Sequence, residues 1–354
     1  MTLLSSLYGS ATTFRRSWYA RDRSRSRRLH QPVISVGNLA LGGSGKTPVV
    51  ATLARMLVAA GERPSILSRG YRRPDPSRRV VMVSDGHSVL ATAAQAGDEP
   101  FMLARTLAGA AILVSHDRYE AGALAETRLG CTVHILDDGF QHLQLARDVN
   151  LLVGVTRDLE DRVVPSGTLR EPLSAACAAD AVLVDGSDDD LQAVASAFGV
   201  STAFHLTRRF HPARPIRAGL TGAGLTTVGA DLQVGPARAM AVAGIARPER
   251  FFAALRDQGW NIAREFVFRD HHWFSATDVQ TVEQAAREAG VDVVITTEKD
   301  AVRLEALVAQ SPTWAVLPVE AVIDDRFAPW LAGRLAAARR QQGEPAPSTR
   351  SGPG

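Results

Sequence analysis

A glycine-rich turn between an apolar strand and a helix constrains this chain more than any other feature. Val33, Ile34 and Val36 lead through Gly37-Asn38-Leu39 into Ala40, Leu41, Gly42, Gly43, Ser44, Gly45, Lys46 and Thr47, and a helical stretch from Pro48 to Ala60 follows. Proline suits the first turn of a helix, where its missing N–H has no partner to lose. Glycines let backbone N–H groups close around phosphate oxygens, and the helix N-terminus adds partial positive charge. A lysine at this point reaches the β- and γ-phosphates, and the hydroxyl after it binds Mg²⁺. The stretch therefore reads as a phosphate-binding loop, with Lys46 on phosphate and Thr47 on the metal. The usual pattern has glycine at position 40, where this chain has Ala40. A glycine-rich turn with a chance Lys-Thr is the plainer alternative.

The chain has 354 residues, enough for two domains, and its 45% apolar content is ordinary for a protein with a sizeable core. Net charge is only +3, with arginine far outnumbering lysine. No aromatic-interleaved motif or helix-turn-helix accompanies the arginines, so no nucleic-acid partner is expected. Cys131 and Cys177 sit in apolar surroundings without metal-ligand spacing, which fits inert buried thiols in a reducing compartment. No apolar run reaches the length of a transmembrane helix.

Residues 1–30 form the first segment. Leu3, Leu7, Ala11, Phe14 and Trp18 share one helical face, and Arg15, Arg16, Arg21, Arg23, Arg25, Arg27 and Arg28 follow or flank it. Such a helix suits an anionic membrane surface. A helix packed on the core beside a solvated basic loop, or a transit peptide, has the same pattern.

Strands and helices then alternate over 31–205, which predicts a mostly parallel sheet with helices on both faces. Residues 206–236, with a Gly/Thr run from Gly219 to Gly229, read as an inter-domain connection. A smaller α/β domain is expected over 237–335 and a disordered tail over 336–354. Within the larger domain, Arg69-Gly-Tyr71 closes a strand at the edge where open α/β sheets hold ligands. Asp98 in Gly97-Asp-Glu-Pro100 precedes a helix and reads first as its N-cap. Thr132-Val-His-Ile-Leu136 runs into Asp137 and Asp138, the apolar strand ending in acids that places an oxygen ligand for Mg²⁺ opposite the loop. An Asp-Asp-Gly turn is the alternative there.

Six stretches in order, Gly37-Asn38 through Gly42-Gly-Ser-Gly-Lys-Thr-Pro48, Ser68-Arg-Gly-Tyr71, Gly97-Asp-Glu-Pro100, Asp137-Asp-Gly-Phe-Gln-His142, Asp270-His271 and Thr297-Glu-Lys-Asp300, resemble the tetraacyldisaccharide 4'-kinases of Gram-negative bacteria. The resemblance runs from about residue 5 to 335, and that family's loop also lacks the first glycine. It implies a P-loop NTPase-type core with a smaller C-terminal α/β domain. It also implies transfer of the γ-phosphoryl group of ATP to the 4'-hydroxyl of an acylated glucosamine disaccharide 1-phosphate in lipid A synthesis. The expected setting is the cytoplasmic face of the inner membrane, with ATP and Mg²⁺ as cofactors and no obligate protein partner. By the same resemblance Asp98 becomes a general base held by His271, with His272 a competitor for that place, and Asp137 and Asp138 become Mg²⁺ ligands. Tyr71, Glu99, Arg118, Gln141, His142, Arg170 and Glu171 are further site candidates.

Two nucleotide-binding alternatives fit less well. A partitioning-type ATPase needs lysine where Leu41 stands, and a GTP-binding protein needs a residue between lysine and aspartate where Lys299 and Asp300 are adjacent.

Overall fold

The computed structural model describes residues 2–42, 45–70, 79–216, 237–308 and 311–343. Two sheets share the chain. The first takes β1 (Val33–Gly37), β2 (Pro64–Ser68), β3 (Val80–Asp85), β4 (Ala111–Ser115), β5 (Val133–Asp137), β6 (Val149–Gly154), β7 (Ala181–Val184) and β8 (Ala203–Phe210). The second takes β9 (Arg214–Pro215), β10 (Arg238–Ala243), β11 (Asn261–Val267), β12 (Val293–Thr297) and β13 (Thr313–Leu317). A final strand, β14 (Val319–Ile323), returns to the first sheet. The helices are α1 (Leu3–Ala20), α2 (Lys46–Ala59), α3 (Ala93–Ala96), α4 (Asp98–Thr106), α5 (Arg118–Leu129), α6 (Asp188–Phe198), α7 (Pro248–Asp257), α8 (Ala276–Glu288), α9 (Glu298–Leu304) and α10 (Phe327–Gln342).

The nine-stranded sheet runs β14-β8-β7-β6-β1-β5-β2-β4-β3. Its interior pairs are parallel, and the edge strands β3 and β14 are antiparallel. Burial on both faces explains why these strands read as unbroken apolar runs. Alternate residues serve opposite layers. Ile34 and Val36 of β1 join Leu53 of α2, Leu103 of α4 and Leu331 of α10 in one core, while Val33 joins Ala121 and Ala125 of α5 in another. The five-stranded sheet, β11-β10-β12-β13-β9, repeats the scheme, with Ala241 packed toward Leu255 of α7 and Val242 toward Val282 of α8.

Three expected boundaries move. Residues 206–210 are still β8, and 214–215 are already β9 of the second sheet, so the first crossing between sheets is shorter than 206–236; residues 217–236, including the Gly/Thr run, lie outside the described residues. The second unit ends at β13, because β14 pairs antiparallel with β8 and α10 packs Phe327, Leu331 and Leu335 into the first core. The 336–354 tail is helical through Gln342, and 344–354 lie outside the described residues. Apolar residues of α10 at helical spacing explain the helix, and only the first sheet offers the surface they cover. Of the two cysteines expected to be buried, Cys131 is buried and Cys177 is exposed.

Helix α1 exposes the apolar face read from the sequence: Leu3, Leu7 and Phe14 are 77%, 59% and 69% exposed. Its buried side is small, Ser5 and Gly9, with Ser5 Oγ donating to Ser166 Oγ at 2.7 Å. The core-packed alternative therefore fails for the apolar face. The arginines are less free than expected. Arg27 pairs with Asp117, Arg28 with Asp148 and Arg16 with Glu171, and Arg25 lies over the Trp18 ring. Among the described residues no helix is long and apolar enough to cross a membrane.

Candidate active site

Carboxyl ends of parallel strands collect ligands because helix N-termini and loop amides gather there. Here both sheets aim such ends at one cleft of about 1000 Å³, lined by the ends of β2 and β5, the start of α2, and the loops after β10, β11 and β12.

The phosphate-binding loop leaves β1 through Asn38, whose buried amide donates to Ala40 O at 2.7 Å. Ala40 forms an antiparallel bridge with Leu169, and Leu41 N donates to Thr168 O at 2.7 Å. Extended, paired backbone needs no glycine, which is why alanine serves at this position. Gly42 and Gly45 take φ of 91° and 81°, where glycine alone is unstrained. Gly43 and Ser44 lie outside the described residues. Gly45 caps α2, and Lys46 and Thr47 form its first turn. Lys46 Nζ donates to Asn38 Oδ1 at 2.6 Å and lies 3.3 Å from Asp138 Oδ1. Thr47 Oγ1 donates to Glu99 Oε2 at 3.4 Å.

Asp137 ends β5, and Ser68 Oγ at the end of β2 donates to its Oδ2 at 3.2 Å. Asp138 then turns into the left-handed region at φ 53°. Both of its oxygens accept from Arg170, at 2.8 Å each. The turn packs tightly on β5 and β1: a Cβ on Gly139 would stand 2.5 Å from Leu136 Cβ, and one on Gly37 2.4 Å from Phe140 Cβ. The two acids consequently differ. Burial, then the carboxylates of Glu99 and Asp138, push Asp137 up to about 7. Asp138 is held well below the usual range: burial alone would raise it, but the charge of Lys46 and the hydrogen bonds of Arg170 outweigh that.

On the other wall, Asp98 is the first residue of α4, and Gly97 is its N-cap. Asp98 is therefore not the N-cap, although its Oδ1 still accepts from Glu99 N of the first turn at 2.9 Å, and its other oxygen has a further partner. His271 Nδ1 lies 2.9 Å from Asp98 Oδ2, and Arg303 Nη1 lies 3.7 Å from the same oxygen. His271 also occupies the left-handed region at φ 59°, its N–H donating to Gly244 O at 3.2 Å. Such conformations cost about 1–3 kcal/mol and gather at functional sites. Among the described residues the only non-glycine cases are Asp138 and His271, and both line this cleft. His272 is engaged elsewhere: its Nε2 lies 3.0 Å from Asp278 Oδ2 at the capped start of α8, and its ring stacks on Phe268 at 4.8 Å.

The remaining candidates divide. Gln141 donates to Asn38 O at 3.1 Å. Arg118 starts α5 and is nearly buried; burial, then the neighbouring Arg69, lower its pKa to about 10. Burial, then Arg118 and Arg147, push His142 down to about 3, so it is a neutral ring at physiological pH. Gln141, His142, Arg118, Glu99 and Arg170 line the cleft. Glu171 does not; it is buried and accepts from Arg16 of α1 at 2.5 Å. Tyr71 lies outside the described residues.

Among the residues that sequence reasoning did not single out for the site, Asn38 braces the cleft from beneath and Lys299 lines it. Asn38 follows β1 and binds both Lys46 and Arg170, whose Nη2 donates to its Oδ1 at 2.5 Å. Lys299, just beyond β12, ion-pairs with Glu99 at 2.9 Å. The available signal was position: each lies within two residues of a strand's carboxyl end. Asp300 beside it is fully buried and accepts from Gly244 N, Thr297 Oγ1 and Arg303, so it has no exposed edge with which to read a guanine base.

The family model for tetraacyldisaccharide-1-P 4'-kinase matches residues 1–336. The tetraacyldisaccharide 4'-kinase of Geobacter sulfurreducens is 42% identical over 332 residues, covering 91% of this chain and 87% of its own. That of Geobacter metallireducens is 41% identical over 311 residues, covering 86% and 88%. A crystal structure of the "apo" form of LpxK from Aquifex aeolicus in complex with ATP superposes with a TM-score of 0.73 at 30% identity, covering 94% of this chain and 97% of that one. A family model matching residues 1–336 and relatives 41–42% identical over most of the chain identify this protein as a member of the tetraacyldisaccharide-1-P 4'-kinase family.

Proposed function

We propose that this chain transfers the γ-phosphoryl group of ATP to the 4'-hydroxyl of a tetraacylated glucosamine disaccharide 1-phosphate, the lipid A precursor. The observation that carries the reading is the Asp98–His271 pair, 2.9 Å apart, in the cleft that also holds Lys46 and Thr47. Lys46 and the amides at the start of α2 bind the β- and γ-phosphates. Asp98 takes the proton of the acceptor hydroxyl while that oxygen bonds to the γ-phosphorus and the bond to the bridging oxygen breaks, leaving ADP. His271 orients the Asp98 carboxylate. Arg170 and Lys46 are held by Asp138 and supply positive charge near the transferring group.

The side chains also fit a Mg²⁺ ion. Thr47 Oγ1 and Glu99 Oε2 lie 3.4 Å apart, and the Glu99 carboxylate is near enough to raise the Asp137 pKa, an excess of negative charge that a divalent ion would relieve. Among the described residues no three His, Cys, Asp or Glu side chains form a metal cage. That suits Mg²⁺, which takes one or two carboxylates plus phosphate and water, and bound there it would neutralise charge on the β- and γ-oxygens. Asp138, committed to Arg170 and Lys46, is better suited to holding those cations than to ligating metal.

The exposed apolar face of α1 suits peripheral contact with the cytoplasmic surface of the inner membrane, where such a lipid lies. Incubation with γ-labelled ATP and a lipid A disaccharide 1-phosphate tests the reading. Label should appear on the lipid; label released only as inorganic phosphate would refute it.

A further inference from the structure

Asn38, the residue after β1, is fully buried beneath the cleft, and its side chain reaches two cations above it. A buried asparagine needs partners for both its acceptor oxygen and its donor nitrogen. Here both are used. Oδ1 accepts from Lys46 Nζ at 2.6 Å and from Arg170 Nη2 at 2.5 Å. Nδ2 donates to Ala40 O at 2.7 Å, so the amide cannot turn over without setting its NH₂ against two cations. The main chain is tied as well, with Gln141 Nε2 donating to Asn38 O at 3.1 Å. One residue thus connects the approach to the phosphate-binding loop, the start of α2, Arg170 and the turn after β5.

Two cations that share one oxygen stand close enough to repel. Asp138 offsets this: its Oδ1 lies 3.3 Å from Lys46 Nζ, and both of its oxygens accept from Arg170. One carboxylate against two cations leaves the trio positive, which suits a phosphate chain. A second carboxylate in place of Asn38 would hold the same cations and cancel that charge. A neutral amide oxygen orients them and leaves the charge available. Lys46 opens a helix and Arg170 follows a loop, so the spacing between them is set by the acceptors they share.

We propose that Asn38 is a positioning residue for phosphoryl transfer, whose neutral amide oxygen sets Lys46 and Arg170 side by side as one cationic clamp for phosphate without neutralising them. The proposal rests on the reading that ATP occupies the loop at Lys46. Charge placed in advance needs no reorganisation when the transferring group develops its own. Without the Asn38 oxygen both cations fall to Asp138 alone, and their spacing is no longer fixed.

The test uses the full-length protein with ATP, Mg²⁺ and a lipid A disaccharide 1-phosphate, together with calorimetric ATP binding and thermal melts. Asn38→Asp keeps an oxygen near both cations and adds a charge. It should bind ATP roughly tenfold more weakly or worse, and gain correspondingly less stability from ATP than the wild type does. Asn38→Ala removes the acceptor and adds no charge. Its kcat should fall roughly 10–100-fold while KM for ATP changes by less than about threefold. A residue that served folding alone would lower both melting temperatures and leave the folded protein with wild-type ATP affinity and kcat. Either wild-type ATP affinity in Asn38→Asp or wild-type kcat in folded Asn38→Ala therefore overturns the proposal.

A measurement on the wild type keeps it falsifiable if neither variant folds. Asparagine occurs only at positions 38, 150 and 261, so ¹⁵N-asparagine labelling gives three side-chain amide pairs. The Asn38 pair is identified once Asn150→Ser and Asn261→Ser each remove their own. It should exchange with deuterium far more slowly than the pair of exposed Asn261, and should shift when ATP is added. Exchange as fast as that of Asn261 overturns the proposal. Lys46→Ala, measured alongside, separates it from the reading beneath it. Wild-type turnover in Lys46→Ala would remove ATP from this loop, whereas an inactive Lys46→Ala beside a fully active Asn38→Ala would remove the Asn38 role alone.

Discussion

Nδ1 of His271 stands 2.9 Å from Oδ2 of Asp98 across 173 residues of sequence, joining a loop of the second sheet to the first residue of α4. Burial by itself would raise the Asp98 pKa, but the His271 hydrogen bond and the Lys299 charge bring it below the usual aspartate value. The carboxylate is therefore charged at neutral pH and free to accept a proton, though as a weaker base than an unperturbed aspartate.

Asp98→Asn should cut kcat by about 10²–10⁴, the scale of losing a general base. Its melting temperature should hold, because Gly97 and not Asp98 occupies the cap position. His271→Ala should lose a comparable or smaller factor, and the double variant should be little worse than Asp98→Asn, since the pair acts as one unit. Additive losses measured by steady-state kinetics would argue for two independent roles.

At the phosphate-binding loop, Lys46→Ala and Thr47→Ala should each remove most of the turnover by losing charge stabilisation at the transferring group, a deficit of about 3–4 kcal/mol. Near wild-type rates in either folded variant would place ATP elsewhere.

Asp137 offers a pH signature. In the fold its carboxyl keeps a proton up to about pH 7, whereas in the unfolded chain it releases one near pH ~4. The folded state then binds more protons between those values, so the stability of nucleotide-free protein should fall as pH rises across that window and level off above it. Asp137→Asn should flatten that slope in urea titrations at stepped pH. Mg²⁺ and nucleotide should release protons just below neutrality, read by calorimetry in buffers of different ionisation enthalpy.

Helix α1 makes a separate prediction. Leu7→Asp and Phe14→Asp change exposed side chains, so folding stability should move by less than about 0.5 kcal/mol. Co-sedimentation with anionic vesicles should weaken, and KM for lipid should rise more than KM for ATP. High salt should have a smaller effect than the arginine count suggests, because Arg16, Arg27 and Arg28 are already paired within the protein. Unchanged vesicle binding would assign the exposed face to another contact.

Local chemistry made much of this protein legible in its sequence. The run from Val33 to Thr47 could form little but a strand, a phosphate-binding turn and a helix, because its apolar pattern, glycines and Pro48 each point to the same backbone. The acids at Asp137 and Asp138 were visible for the same reason, at the end of an apolar run.

What belonged to tertiary structure was every decision between chemically similar neighbours. Asp137 and Asp138 are adjacent and identical in type, yet one is buried near other carboxylates and the other, part exposed, pairs with Arg170 and Lys46. His271 and His272 are likewise adjacent, and only packing sends one to Asp98 and the other to Asp278. The return of β14 and α10 to the first sheet was equally hidden, since their apolar patterns state that a face is buried without saying which sheet covers it. Local sequence sets φ/ψ preference and periodicity, which act over a few residues. Charge partners, and with them proton positions, depend on side chains that only the closed fold brings within about 3 Å.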